Sequence, residues 1–182
     1  MKYIIREITE KDNKEIENII RSCLIEFGGN HEGTAWTDPN LGRFSEIYNT
    51  PENKYWVAED TSGKLLGGVG IGKIAELPEV CELQKMYCLP IARGTGVSHQ
   101  LIETALKYAQ KYYKECYLET LENMVAAQKF YEKYEFKRLE KPLIKKDAHH
   151  NTTSLISQEK VDKDRYDAVI TLDPRSEQEK QP

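Results

Sequence analysis

The stretch Cys81-Glu82-Leu83-Gln84-Lys85-Met86-Tyr87-Cys88-Leu89-Pro90-Ile91-Ala92-Arg93-Gly94-Thr95-Gly96-Val97-Ser98 passes from a strand to a helix through a glycine turn. Residues 81–89 read as a strand that stops at Pro90, because proline cannot donate to a ladder. From Gly96 onward, Val97, Leu101, Ala105, Tyr108 and Tyr112 recur at helical steps and predict a helix over 96–113. A helix N-terminus carries free N–H groups and a partial positive charge. Gly94 and Gly96 let the backbone approach an anion with no Cβ in the way, and Arg93 adds a two-pronged phosphate donor. Arg93, Gly94, Thr95, Gly96, Val97 and Ser98 thus form a candidate diphosphate site. It is not a P-loop, since no G-x-x-x-x-G-K-[ST] occurs. A dinucleotide turn would follow the first strand of a βαβ unit and needs a third glycine where His99 stands.

Working outward, 3–8 predicts a first strand, and Thr9 with Asp12 opens a helix striped by Ile16, Ile19, Ile20, Cys23 and Leu24. Residues 27–40 read as loop and 41–48 as a short helix with Phe44, Ile47 and Tyr48 on one side. A hairpin follows, with strands 54–59 and 64–74 around Thr61-Ser62-Gly63. Gly67, Gly68, Gly70 and Gly72 weaken its second strand and mark a bend or a close backbone approach. C-terminal to the glycine turn come a strand at 116–120, a helix at 125–134, a strand from 136 and a last strand at 165–172. This order gives an α/β fold with a mixed sheet. Residues 1–173 are expected to form one domain, with a polar insert at about 141–164 and a frayed tail at 174–182.

The 182 residues carry a net charge of −4 and an isoelectric point near 5.7, a poor match to nucleic acid. No run is long and apolar enough for a membrane span. Cys23, Cys81, Cys88 and Cys116 lack disulfide or zinc spacing and read as reduced thiols of a cytoplasmic protein. The adjacent His149 and His150 point apart in most conformations, so no metal is expected.

The glycine turn resembles the signature R/Q-x-x-G-x-G/A of the GNAT superfamily, the acetyl-CoA-dependent N-acetyltransferases, with Arg93, Gly96 and Ser98 at its positions. The strand ending in Pro90, the segment Leu118-Glu119-Thr120, and Ala127, Phe130, Tyr131 and Phe136 in an A-x-x-F-Y-x-x-x-G-F block extend the likeness over about 3–139 and the last strand. The resemblance implies an acyl-CoA N-acyltransferase fold: a mixed, mostly antiparallel sheet of about seven strands, flanked by helices and splayed in a V between strands four and five. It implies acetyl-CoA as cosubstrate, bound by Met86, Tyr87, Cys88, the 93–98 loop, Thr120, Ala127 and Phe130. The acceptor would be an amine-bearing small molecule or peptide, and a homodimer is compatible with it.

Tyr131 stands where the family places its thiol-protonating tyrosine, and Glu82 where some members carry a general base. The competing readings are a core tyrosine and an ordinary strand-surface carboxylate. Cys88 reads as a buried small hydrophobe rather than a nucleophile, and His99 as structural. Residues 27–40, with His31, Glu32, Thr34, Trp36 and Asp38, together with 141–164, form the expected acceptor side. Three positions depart from the pattern: Ser98 for Gly or Ala, Met124 for Asn, and Glu135 for the glycine after the last helix. They motivate a second reading, a non-catalytic acyl-CoA sensor or scaffold of the same fold.

Overall fold

The computed structural model describes residues 1–143 and 165–172. The chain runs β1 (Tyr3–Glu7), α1 (Asn13–Glu26), α2 (Phe44–Ile47), β2 (Asn49–Thr50), β3 (Asn53–Asp60), β4 (Leu65–Lys73) and β5 (Val80–Cys88). It continues as α3 (Val97–Ala109), β6 (Glu115–Leu121), α4 (Val125–Lys133), β7 (Lys137–Arg138) and β8 (Arg165–Thr171). The strands order as β1-β3-β4-β5-β6-β8-β7, with the two-residue β2 added beside β3. Among the described residues, all pairings are antiparallel except β5 with β6. Because of β2, the fourth and fifth strands expected from the sequence are β5 and β6.

Each sheet face buries its own apolar layer. On one, Ile16, Ile19, Ile20, Cys23 and Leu24 of α1 and Phe44 of α2 pack on Tyr55, Val57 and Leu65. On the other, α3 and α4 cover Trp56, Ile71, Leu83, Cys116, Leu118 and Tyr166. Helix α3 ends at Ala109, earlier than the periodicity predicts, and its buried stripe is Val97, Leu101, Ile102, Ala105 and Ala109. Tyr112 is exposed. The hydroxyls of Tyr108 and Tyr113 donate instead to the carbonyls of Pro51 and Glu52, at 2.6 and 3.1 Å, which docks the end of α3 onto the turn before β3. Most of the insert at 141–164, including His149 and His150, and the tail at 174–182 lie outside the described residues.

The glycines of β4 form a trough. A Cβ at Gly68 would come within 2.5 Å of the Tyr55 ring, one at Gly70 within 2.8 Å of the same ring, and one at Gly72 within 2.5 Å of the Gln84 amide. Opposite this trough β5 carries a bulge. Gly68 pairs with Tyr87 and Gly70 with Gln84, so Val69 alone faces both Lys85 and Met86. The extra residue changes the phase of β5. Leu83, Met86 and Cys88 face the α3–α4 layer, while Tyr87 and Leu89 pack with the α1–α2 layer. Lys85 accommodates the bulge in the left-handed region, at φ 49°.

Candidate active site

β5 and β6 pair only from Val80–Glu115 to Leu83–Leu118. Beyond those residues the ladder stops although both strands continue, which leaves a V-shaped cleft. Two adjoining cavities of about 110 and 40 Å³ occupy it and share Leu83, Lys85, Tyr87, Glu119, Thr120 and Met124. The smaller reaches Met86, Leu118 and Tyr131; the larger reaches Glu82, Gln84 and the loop residues Gly33, Thr34 and Ala35. Glu82, Met86, Tyr87, Thr120 and Tyr131 of the sequence-derived set therefore line one continuous cleft.

Tyr131 is 7% exposed, and burial pushes its hydroxyl well above the ordinary tyrosine value, with Tyr87 and Cys88 adding to the effect. It holds its proton throughout the neutral range. Glu82 accepts a 2.6 Å hydrogen bond from the Gln84 amide, whose oxygen accepts from the Tyr48 hydroxyl at 2.8 Å. A Tyr48–Gln84–Glu82 chain thus orients the carboxylate.

At the β5–α3 junction Gly94 and Gly96 have φ of 76° and 91°, values that favour glycine. Gly96 is the N-cap of α3, no side chain caps that end, and its first turn carries no acidic residue. A Cβ at Gly94 would meet nothing within 4 Å. The N-terminal N–H groups of α3 have no carbonyl partner within the helix, so the loop fits an anionic diphosphate. Thr95 donates its hydroxyl to the Ala92 carbonyl, and Ser98 donates to the Cys88 sulfur at 3.3 Å. Val97 is buried as the first helical side chain.

Arg93 is engaged elsewhere. Its guanidinium forms a two-pronged pair with Glu26 at 2.6 and 2.7 Å, donates to the Cys88 carbonyl at 3.2 Å, and lies 5.5 Å from the centre of the Phe27 ring. Ala127 and Phe130 lie on α4 against the core, outside the two cavities, and the Phe130 ring meets His99 at 5.1 Å. His99 in turn shares a 2.8 Å hydrogen bond with the Tyr134 hydroxyl. Cys88 is buried, and that burial raises its thiol above the usual cysteine value, as befits a packing residue.

Two of the side chains singled out at 27–40 are committed to partners within the protein. Arg21 stacks on the Trp36 ring at 4.8 Å, and Asp38 pairs with Lys85 at 3.1 Å. Only Thr34 of the five residues singled out there lines the cleft. Glu119 was not singled out, yet it lines both cavities. It pairs at 3.2 Å with Arg165, which also binds the Asp167 carboxylate and the Tyr117 hydroxyl. The missing signal was register: Glu119 faces Asp167 and Leu121 faces Arg165 across β6 and β8. Among the described residues, no group of three His, Cys, Asp or Glu side chains is arranged to hold a metal ion.

Residues 13–136 match the model of the acetyltransferase (GNAT) family. The chain belongs to the GNAT acetyltransferase family. An uncharacterized N-acetyltransferase of Escherichia coli K12, YjgM, is 36% identical over 140 residues, 75% of this chain and 83% of that protein. An uncharacterized N-acetyltransferase of Schizosaccharomyces pombe, C1271.07c, is 27% identical over 131 residues, 71% of this chain and 79% of that protein. Among solved structures, a GNAT acetyltransferase of Staphylococcus aureus Mu50 superposes with a TM-score of 0.75 at 18% identity, covering 94% of this chain and 100% of that one. The PaiA N-acetyltransferase of Thermoplasma acidophilum, solved with coenzyme A, gives 0.70 at 16% identity over 94% and 99%.

Proposed function

We propose that this GNAT chain moves the acetyl group of acetyl-CoA directly to the primary amine of a small molecule or peptide. The observation that carries the reading is the β5–β6 cleft, with Tyr131 lining its inner cavity, Glu82 its outer one, and an uncapped glycine turn heading α3. Coenzyme A in the structurally similar PaiA supports the same cosubstrate here. The pyrophosphate rests on the backbone N–H groups of 94–98, and the pantetheine arm runs along β5 into the cleft. Leu89 sends its N–H to Leu66 across the β4 side. Alternation from Leu89 turns the Cys88 N–H into the splay, and the Met86 N–H, within the bulge, belongs to the peptide whose carbonyl accepts from Tyr55.

An alkyl ammonium has a pKa near 10.4 and must lose a proton before attack. Glu82, oriented by Gln84, takes it. The nitrogen lone pair adds to the thioester carbon, and the carbonyl electron pair moves to oxygen, where a backbone N–H meets it. Collapse breaks the C–S bond with its electron pair going to sulfur. As Tyr131 gives its proton to sulfur, the nitrogen's second proton passes by way of solvent to the tyrosinate, and Glu82 sheds the first to solvent, so the products are an amide and free coenzyme A with both side chains restored. The larger cavity, bounded by Thr34 and the carboxylates of Glu82 and Glu119, receives the amine.

Thiol release from acetyl-CoA over a panel of polyamines, amino acids and peptides tests this. Acceptor-stimulated release by at least one class is expected. Acetyl-CoA binding with no stimulated release would instead favour the sensor.

A further inference from the structure

We propose that Tyr55 is a positioning residue: its hydroxyl sets the bulge of β5 so that the Met86 N–H meets the carbonyl oxygen of a bound acyl thioester. This role presupposes the acetyl transfer proposed above. The Tyr55 side chain is fully buried, and its hydroxyl donates to the Lys85 carbonyl at 2.8 Å. That carbonyl belongs to the peptide whose N–H is that of Met86. Fixing it fixes the plane of the peptide and hence the direction of the N–H.

The restraint acts where the strand has least support of its own. Two residues of β5 face one of β4 here, so the ladder is locally broken. The pairing with β6 has already ended at Leu83. Lys85 has a positive φ that costs a non-glycine residue energy, so the conformation must be held from outside. Tyr55 supplies the hold from β3, two strands away, by crossing β4. It can do so only because Gly68 and Gly70 lack side chains: a Cβ at either would lie 2.5–2.8 Å from its ring. Burial raises the Tyr55 hydroxyl well above its ordinary value, so it stays a donor at every working pH. The glycine run of β4 thereby acquires a purpose that the fold alone does not require.

Lys85 and Met86 line the cleft, whereas Tyr55 does not. The hydroxyl therefore acts through the backbone, and its loss should spare cofactor binding while slowing chemistry. Losing one oxyanion donor outright costs about 10²–10³ in kcat, so a misaimed one is expected to cost about tenfold or more.

The test compares wild type with Tyr55→Phe by three readouts: kcat for thiol release, Kd for coenzyme A by calorimetry, and the Met86 amide resonance on adding acetyl-CoA. The expected result is a kcat down about tenfold or more, an unchanged Kd for coenzyme A, and loss of the acetyl-CoA-dependent Met86 shift. An unchanged kcat, or a Kd weakened by the same factor as kcat/KM, overturns the role and leaves Tyr55 as packing. If Tyr55→Phe lacks a folded near-UV spectrum, the same readouts on Gly68→Ala, whose Cβ displaces the ring, decide it. If wild type releases no thiol with any amine, acetyl transfer fails, and the Met86 shift alone decides whether Tyr55 sets the bulge.

Discussion

Burial keeps the Tyr131 hydroxyl protonated far into alkaline pH, and this makes it a proton donor rather than a nucleophile. Tyr131→Phe should lower kcat about 10²-fold or more while leaving the KM for acetyl-CoA nearly unchanged, read by steady-state thiol release. Since the folded value lies above the ordinary one near 10, no alkaline fall in rate below about pH 10 should trace to this residue. Glu82→Gln should slow the reaction most at neutral pH, where the acceptor is an ammonium, and the deficit should narrow as pH rises toward about 10. A pH–rate profile of both enzymes checks this. Glu135 takes the left-handed position of a helix-terminating glycine, at φ 70°. Glu135→Gly should raise stability by about 1 kcal/mol in urea melts, by relieving that conformation.

At the scale of elements, the Arg93–Glu26 pair joins the end of α1 to the turn before α3. Arg93 holds a carboxylate where a phosphate would compete for the same fork. Glu26→Gln should therefore tighten acetyl-CoA binding by up to about fivefold, the equivalent of a half-exposed ion pair's ~0.2–1 kcal/mol, as measured by calorimetry. The β1–α1 junction rests on a different pair. Arg6 holds both oxygens of the buried Asp12 carboxylate at 2.7 and 2.9 Å, and the Thr9 N–H adds a third bond at 2.8 Å. Burial alone would raise the Asp12 pKa, but these hydrogen bonds more than offset it and hold the pKa below its usual value. A lowered folded pKa means that the contribution is present above about pH 4 and is lost on acidification. Asp12→Asn should cost about 2 kcal/mol at pH 7, and in urea melts the deficit against wild type should shrink toward pH 3.

At the scale of the whole molecule, most elements were legible because their signals are local. The stripe from Ile16 to Leu24, the hairpin around Gly63 and the strand ending at Pro90 each follow from periodicity and punctuation within a few residues. The bulge at Lys85–Met86 was not legible, because a two-residue phase reads straight through an insertion of one. The early end of α3 was not legible because Tyr108 and Tyr112 continue a helical spacing that the docking of Tyr108 and Tyr113 onto Pro51 and Glu52 overrides. Within the site, the glycine turn, Glu82 and Tyr131 came from motif positions, and the structure brings Glu82 and Tyr131 to one cleft. Glu119, Arg165 and the Tyr48–Gln84 support could be found only from cross-strand register and from rings that reach over glycines, both tertiary facts.

In the proposed function, the β5–β6 cleft holds the thioester with its pyrophosphate at the glycine turn. A crystal structure with acetyl-CoA bound tests it most directly. It should show the pyrophosphate on the N–H groups of 94–98, the thioester carbonyl on the Met86 N–H, and the Tyr131 hydroxyl within hydrogen-bond reach of the sulfur. A thioester lying outside the cleft, or with its sulfur remote from Tyr131, would contradict it.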